Sequence, residues 1–209
     1  KKNWFITIYA ILCFLSPMLN KMSVSISKDN FKSILIIGFF LIYVWHTIGF
    51  ILNFSLPIED AGYGLPNFIY LYLFGRYLKI HCSLSESKGN FLIGYFFTGV
   101  LLFVFQLSYS LFLGFSFTSL YSYNTVFVFV GGGFLFMFFA RLKMTYNNFI
   151  NSWAKNCLAV YIIHLHPLCW GKLCEFLCIE EISSLWLIPY SLIISLLLYF
   201  VLATIEKVR

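Results

Sequence analysis

Residues Gly89 to Ala140 read GNFLIGYFFTGVLLFVFQLSYSLFLGFSFTSLYSYNTVFVFVGGGFLFMFFA, without one charged residue. A helix that crosses a bilayer needs about 20 apolar residues, so this stretch is long enough for two such helices. The polar run Ser116–Asn124 predicts the break between them. The stretch therefore predicts a pair of membrane helices.

Five further uncharged runs accompany this pair: Asn3–Asn20, Ser33–Ile58, Ala61–Gly75, Asn156–Gly171 and Ile182–Ile205. Together they predict an all-α integral membrane protein, a bundle of about seven transmembrane helices. The predicted spans are Trp4–Leu19, Ile34–Phe54, Pro66–Ile80, Phe91–Leu113, Val126–Ala140, Cys157–Trp170 and Leu185–Ala203. The third and sixth are short, since about 15 residues rise only about 22 Å. We expect these two inside the bundle.

The charged residues lie on the connections, and their sign alternates from one connection to the next. The basic connections hold 11 of the 14 lysines and arginines: Lys21, Lys28, Lys32, Arg76, Lys79, Lys88, Arg141, Lys143, Lys155, Lys207 and Arg209. The acidic connections hold Glu59, Asp60, Glu175, Glu180 and Glu181. By the positive-inside rule the basic set is cytoplasmic, which predicts that the chain begins outside and ends in the cytoplasm.

The composition excludes a water-soluble domain. The chain is 61% apolar and 11% charged, where soluble domains carry about 25% charged residues. One transmembrane domain is therefore expected over residues 1–209, with membrane lipids around it. The net charge of +6 is spread over four edges, so it reports topology and predicts no nucleic-acid partner.

The chain begins with Lys1-Lys2 at the end that the alternation places outside. Two lysines there oppose the orientation that the later connections indicate. The simplest explanation is that these residues are the C-terminal portion of a longer protein whose earlier helices are missing. A processed or independently complete seven-helix protein is the alternative.

Polar residues inside a membrane are costly and therefore informative. The first candidate is His164, within the sixth predicted span in VYIIHLHP at 160–167. It can serve as a general base or bind an acceptor hydroxyl. The alternative is a neutral histidine that is hydrogen-bonded to a neighbouring helix. For His46 in the second span, packing is the favoured interpretation.

No metal site is predicted near the outer face. The residues there that can bind a metal are His164, His166, Cys169, Cys174 and Cys178. Their spacing matches no standard zinc pattern. A disulfide among the three cysteines is an open alternative, because connectivity cannot be read from sequence.

Arg76 ends the third predicted span and has two interpretations. It can snorkel to the cytoplasmic interface, or its guanidinium can hold a phosphate of an incoming cofactor. Gly131-Gly132-Gly133 in the fifth span predicts a close helix contact, with a hinge or a substrate passage as the alternative.

Four segments resemble the C-terminal half of the membrane acyltransferase 3 family, the bacterial integral-membrane O-acyltransferases. They are WFIT at 4–7 with LSPMLN at 15–20, GYGL at 62–65 with FIYLYL at 68–73, GRYL at 75–78, and LAVYIIH at 158–164 with Pro167. Their order and spacing carry the resemblance, which covers essentially the whole chain.

The resemblance implies a protein of about ten helices in the bacterial inner membrane. It would transfer an acyl group, usually acetyl from acetyl-CoA, to a hydroxyl of a surface carbohydrate. The family's catalytic histidine and its arginine partners lie in earlier helices, so none is assigned here and this chain alone is expected to be inactive. Of the residues present, His164 matches a family motif, although Leu165 stands where an acidic or polar residue usually follows.

Under this interpretation, Arg76, Lys79 and Arg141 are candidates for binding the phosphates of acetyl-CoA, and Trp4, Tyr63 and Tyr70 are candidates for lining the substrate passage. A transporter or flippase component for a glycan or small molecule is the main alternative, and its inverted repeats are not found in the sequence. A glycan polymerase and a photoreceptor are less favoured, because no large outer loop and no lysine in the seventh span are present.

Overall fold

The computed structural model describes the chain except for residues 1–3, 53, 55–60, 83–89, 114–118, 143–144, 165, 167–170, 173–174, 176, 178–182 and 209. Several residues of the sequence analysis lie outside the described part: Glu59, Asp60, Lys88, Lys143, Cys169, Cys174, Cys178, Glu180, Glu181 and Arg209. The described chain forms two compact units. The first is Phe5–Lys143 and the second is Lys1–Trp4 with Met144–Arg209. The single domain expected over residues 1–209 stays a prediction.

The described secondary structure is helical in both units. The helices are α1 (Trp4–Ser25), α2 (Lys28–Phe39), a π-helical turn (Phe40–Val44), α3 (Trp45–Ile51), α4 (Leu65–His81), α5 (Phe91–Leu113), a 3₁₀ turn (Ser119–Tyr121), α6 (Val126–Arg141), α7 (Asn148–Ala154), α8 (Cys157–His164) and α9 (Ser184–Val208). Each predicted span overlaps a helix, and the predicted break at Ser116–Asn124 lies between α5 and α6.

The helices that correspond to the first two predicted spans extend beyond the predicted boundaries. Helix α1 continues past Leu19 to Ser25, and α2 begins at Lys28, six residues before the predicted start at Ile34. Lysines do not end these helices, because a lysine on a helix end can extend its ammonium to water while its stem stays against apolar surface. The α2 start is capped by Ser27, whose side chain accepts a hydrogen bond from the backbone N–H of Asn30.

Four helices of the described chain are long and apolar enough to cross a membrane: Trp4–Ser25, Lys28–Ile51, Phe91–Phe112 and Trp186–Lys207. The shorter α6 is similarly apolar. Large apolar side chains cover the outside of these helices, and both Phe14 and Phe112 are 86% exposed. Soluble monomers rarely expose contiguous apolar patches above a few hundred Å², so this surface is typical of a membrane protein.

The core of the first unit is aromatic and joins α1, α2 and α4. Tyr43 is fully buried, and its ring lies 4.3 Å from the ring of Phe129 on α6 and 5.3 Å from that of Tyr70 on α4. The Tyr70 ring also lies over Gly38 of α2, where an added Cβ would be 2.8 Å from it. Glycine at this position therefore lets α2 and α4 approach closely.

Tyr43, Asn67 and Thr47 find hydrogen-bond partners within the bundle. The hydroxyl of Tyr43 donates to Asn67 Oδ1 at 2.6 Å, and Asn67 Nδ2 donates to the carbonyl of Gly62 at 2.9 Å. Thr47 Oγ1 donates to the carbonyl of Tyr43 and accepts from the backbone N–H of Val126 at 3.1 Å. The second bond caps the start of α6 with a side chain from α3. A buried polar group without a partner would be costly, which explains these pairings.

The turn before α4 has a left-handed backbone at two consecutive residues. Ala61 has φ 53° and Gly62 has φ 82°. The carbonyl of Ala61 accepts a hydrogen bond from the N–H of Tyr123 at 3.2 Å, which joins this turn to the connection before α6. An added Cβ at Gly62 would lie 2.7 Å from Tyr123 Cβ and 2.8 Å from the backbone nitrogen of Asn124. Only glycine fits here.

The glycines of α6 confirm the predicted close helix contact at one position of three. An added Cβ at Gly131 would lie 3.5 Å from Thr98 Oγ1 on α5, whereas Gly132 and Gly133 have nothing within 4 Å. A second close approach involves Gly94 of α5, which lies against the ring of Phe134. The α5–α6 pair is thus packed through small residues on both helices.

The second unit is built on α8 and α9. Val160 packs against Leu202 and Ala203 in its small core. The hydroxyl of Tyr199 donates to the carbonyl of Trp153 at 2.7 Å, and the ammonium of Lys207 lies 3.7 Å from the centre of the Trp153 ring. The cation–π contact holds the last turn of α9 against α7.

Candidate functional site

The candidate site is an open cavity of about 720 Å³ in the first unit. Residues from α1, α4 and α6, with the residue after α4, line it: Asn20, Leu71, Tyr72, Gly75, Arg76, Lys79, Cys82 and Phe136. Its volume is within the usual range for small-molecule sites. The wall combines apolar surface with two positive charges.

Both cations come from one face of α4. Arg76 and Lys79 are three residues apart, so the helical period brings their side chains to the same side. The described residues contain no carboxylate paired with either of them. Two like charges on one cavity favour an anion as the occupant.

Helix α1 holds the polar side of the cavity in place. The Nε–H of Arg76 donates to Ser23 Oγ at 3.5 Å, and the hydroxyl of Tyr72 donates to Asn20 Oδ1 at 2.8 Å. Ser23 is almost completely buried. Asn20 and Ser23 are three residues apart, so they lie on one face of α1, and Tyr72 and Arg76 are four residues apart, so they lie on one face of α4. The two hydrogen bonds show that these two faces are in contact.

Gly75 leaves space inside this cavity. An added Cβ at Gly75 would have nothing within 4 Å, so a side chain at this position would begin in the open space of the cavity. Cys82, just after the last turn of α4, is a half-buried free thiol on the same wall. The apolar side consists of Leu71 and Phe136. The arrangement can therefore hold a ligand with phosphate groups at one side and an uncharged part at the other.

The three cationic candidates from the sequence do not all meet. Arg76 and Lys79 line the cavity. Arg141, in the last turn of α6, lies with its guanidinium carbon 5.0 Å from the centre of the Phe91 ring on α5. This cation–π contact places Arg141 at the α5–α6 pair, and it is not among the residues that line the cavity.

The predicted substrate-lining residues have different surroundings. Tyr70 is buried, and its hydroxyl donates to the carbonyl of Leu35 at 3.0 Å, so it is part of the core. Tyr63 is exposed beside Tyr123, with ring centres 5.2 Å apart. Trp4 is half-buried at the start of α1. These positions do not test the prediction that the three aromatic residues line a substrate passage.

The histidines are divided between the two units. His164 is the last residue of α8, and its side chain lies outside the described part of the chain. His46 is buried on α3 and makes contacts there, consistent with the favoured packing interpretation. Within the described residues no group of histidine, cysteine and carboxylate side chains could hold a metal ion.

Sequence reasoning missed Ser23, Asn20 and Tyr72 as members of the site. Their signal was present in the sequence, because Asn20 with Ser23 and Tyr72 with Arg76 form polar pairs at helical spacing beside apolar segments. What the sequence did not contain was the pairing of α1 with α4. Because α1 packs against α4, the two polar pairs contact each other at one side of the cavity.

Comparisons of this chain with family models, with curated proteins and with solved structures found no match. The fold and the cavity therefore carry the functional argument.

Proposed function

We propose that this protein takes part in O-acyl transfer, moving an acyl group, acetyl in the first instance, from acetyl-CoA to a hydroxyl of a surface carbohydrate. The single observation that supports this best is the cavity in which Arg76 and Lys79 face a partly apolar wall. Coenzyme A has the complementary chemistry, since it carries phosphates on its nucleotide and an uncharged pantetheine arm. Arginine and lysine are the residues that bind such phosphates.

The resemblance to the acyltransferase 3 family supports the same proposal. Its GRYL motif at 75–78 contains Gly75 and Arg76, the residues that open the cavity and charge it. Within this proposal Arg76 and Lys79 bind donor phosphates, and the acceptor carbohydrate approaches from the opposite side of the membrane. His164 stays a candidate for contact with the acceptor hydroxyl.

The proposal includes seven spans in a bacterial inner membrane, with the basic connections in the cytoplasm. Single cysteines introduced into a cysteine-free variant test this arrangement in intact cells. A membrane-impermeant thiol reagent should label positions 60 and 180 from outside, and positions 28 and 143 only after the cells are opened. Outside labelling at 28 or 143, without labelling at 60 or 180, would reverse the proposed orientation.

Binding of the donor is tested with Cys82 as a built-in reporter. The purified protein is treated with a thiol reagent with and without acetyl-CoA, and modification of each cysteine is followed by mass spectrometry. With acetyl-CoA at ten times its Kd, Cys82 should react about tenfold more slowly, because only about a tenth of the sites remain empty. Cys157, an exposed thiol in the second unit, should react at an unchanged rate.

A cavity-filling variant provides the control for this experiment. Gly75→Leu places a side chain in open space and should remove the protection of Cys82 by acetyl-CoA. Gly132→Leu is the matched variant, since Gly132 also has open space around it but lies in the α5–α6 groove, and it should keep full protection. Absence of protection in the unmodified protein would contradict donor binding and favour the transporter alternative.

A further inference from the structure

Ser23 is a buried hydroxyl in contact with the charged edge of the cavity. It is 1% exposed, and it lies on α1, while Arg76 belongs to α4. The distance from Arg76 Nε to Ser23 Oγ is 3.5 Å. Ser23 therefore touches the cation of the site without lining the cavity itself.

The hydrogen bonds of Ser23 fix its role toward Arg76. Its hydroxyl lies 2.7 Å from the carbonyl of Leu19 and 3.0 Å from that of Asn20. A hydroxyl has one proton and two acceptor lone pairs. A guanidinium has donors and no acceptor, so Ser23 meets Arg76 with an oxygen lone pair while its own proton goes to a backbone carbonyl of α1. The guanidinium is thus held by a fixed acceptor on a neighbouring helix.

This contact uses one side of the guanidinium and leaves the other available. With Nε–H bound to Ser23, the two terminal NH₂ groups keep their donors for a ligand in the cavity. A terminal pair of donors matches two phosphate oxygens. A side chain held in place before binding also loses less conformational freedom when the ligand arrives.

We propose that Ser23 is a positioning residue that orients Arg76 for a diphosphate-bearing ligand in the cavity between α1, α4 and α6. The inference rests on the proposed function for the identity of the ligand as coenzyme A, but not for the contact between Ser23 and Arg76. Asn20 fixes Tyr72 beside it in the same way, through the 2.8 Å bond between their side chains.

The first test compares two serines of α1 in the intact 209-residue chain. Ser23→Ala removes the acceptor for Arg76. Ser25→Ala removes an exposed hydroxyl whose described bond runs to the carbonyl of Lys21 in its own helix. Affinities for inorganic pyrophosphate and for coenzyme A are measured by calorimetry in detergent. Ser23→Ala should weaken both by about 5–10-fold, as for the loss of one hydrogen bond, and Ser25→Ala should change neither more than about twofold.

A double-mutant cycle separates positioning from a general effect on the fold. If Ser23 acts through Arg76, Ser23→Ala should have no further effect on pyrophosphate affinity once Arg76→Ala is present. An Arg76→Lys background gives a second test, because lysine has no Nε–H that Ser23 could hold. In this background too, Ser23→Ala should leave the pyrophosphate affinity unchanged. The same 5–10-fold loss in all three backgrounds would show that Ser23 supports the structure alone, and would overturn the inference.

The outcomes also distinguish this inference from the proposed function. Binding of pyrophosphate with the Ser23 dependence, but no binding of coenzyme A, would overturn the donor proposal and support the positioning role. Binding of both ligands without any Ser23 dependence would overturn only the positioning role. Binding of neither ligand by the unmodified chain would overturn both.

Discussion

Replacing Arg76 and Lys79 together by alanine should weaken the binding of coenzyme A by about 100-fold or more. Each charge-assisted contact with phosphate contributes roughly 1.5–3 kcal/mol, and every 1.4 kcal/mol is about tenfold in affinity. The two side chains line one cavity, so both charges act on the same ligand. Calorimetry with the purified chain in detergent measures the change, at low and at moderate salt.

The matched control removes the same net charge from another edge. Lys28→Ala with Lys32→Ala takes two exposed lysines from α2, neither of which lines the cavity. It should reduce affinity by no more than about threefold, since exposed charges act at a distance through screened solvent. An equal loss in both double variants would mean that coenzyme A is attracted by overall charge and not by this cavity.

Gly62→Ala should destabilise the first unit by about 3 kcal/mol. The left-handed backbone at φ 82° costs an L-residue roughly 1–2 kcal/mol, and overpacking adds about 1–3 kcal/mol. The new Cβ would meet the Cβ of Tyr123 at 2.7 Å and the backbone nitrogen of Asn124 at 2.8 Å. A rigid backbone atom cannot turn aside as a flexible side chain can, so the turn has to move.

Thermal unfolding in detergent should show this as a fall in Tm of about 6–12 °C, at about 2–4 °C per kcal/mol for a chain of this size. Gly133→Ala is the control, because Gly133 lies in α6 with nothing within 4 Å of an added Cβ. It should leave the Tm unchanged or raise it slightly, since alanine favours helix. An unchanged Tm for Gly62→Ala would show that the turn relaxes without cost.

The helices were largely predictable because apolar runs and charges are local properties of the sequence. Two helices, α5 (Phe91–Leu113) and α6 (Val126–Arg141), lie in Gly89–Ala140 with a 3₁₀ turn between them. Of the two, α5 is long enough to cross a membrane, and α6 is a shorter apolar helix. The predicted ends of the helices were less accurate. Lys21 and Lys28 are helical although charge was taken to end the spans, because a side-chain cap and snorkelling lysines let a helix continue beyond its apolar part.

The site was predictable only in part. Arg76 and Lys79 were identified because a cation at the end of an apolar helix is conspicuous in the sequence. Arg141 had the same signal, but the fold places it over Phe91. Tyr70 was expected to line a passage, which stays a prediction, and its ring packs in the core against Gly38. The sequence gives a residue's type and its helix face, and only packing decides what that face meets.

The amino-acid pattern was enough to predict helices that are apolar enough for a membrane, since hydropathy and helical period act within one segment. Which helix faces meet depended on how the helices pack. This packing brought Ser23 and Asn20 of α1 to Arg76 and Tyr72 of α4, across about 50 residues of chain. Contacts between helices depend on the shape and polarity of both faces at once, so a cavity with an oriented cation exists only after the helices have packed.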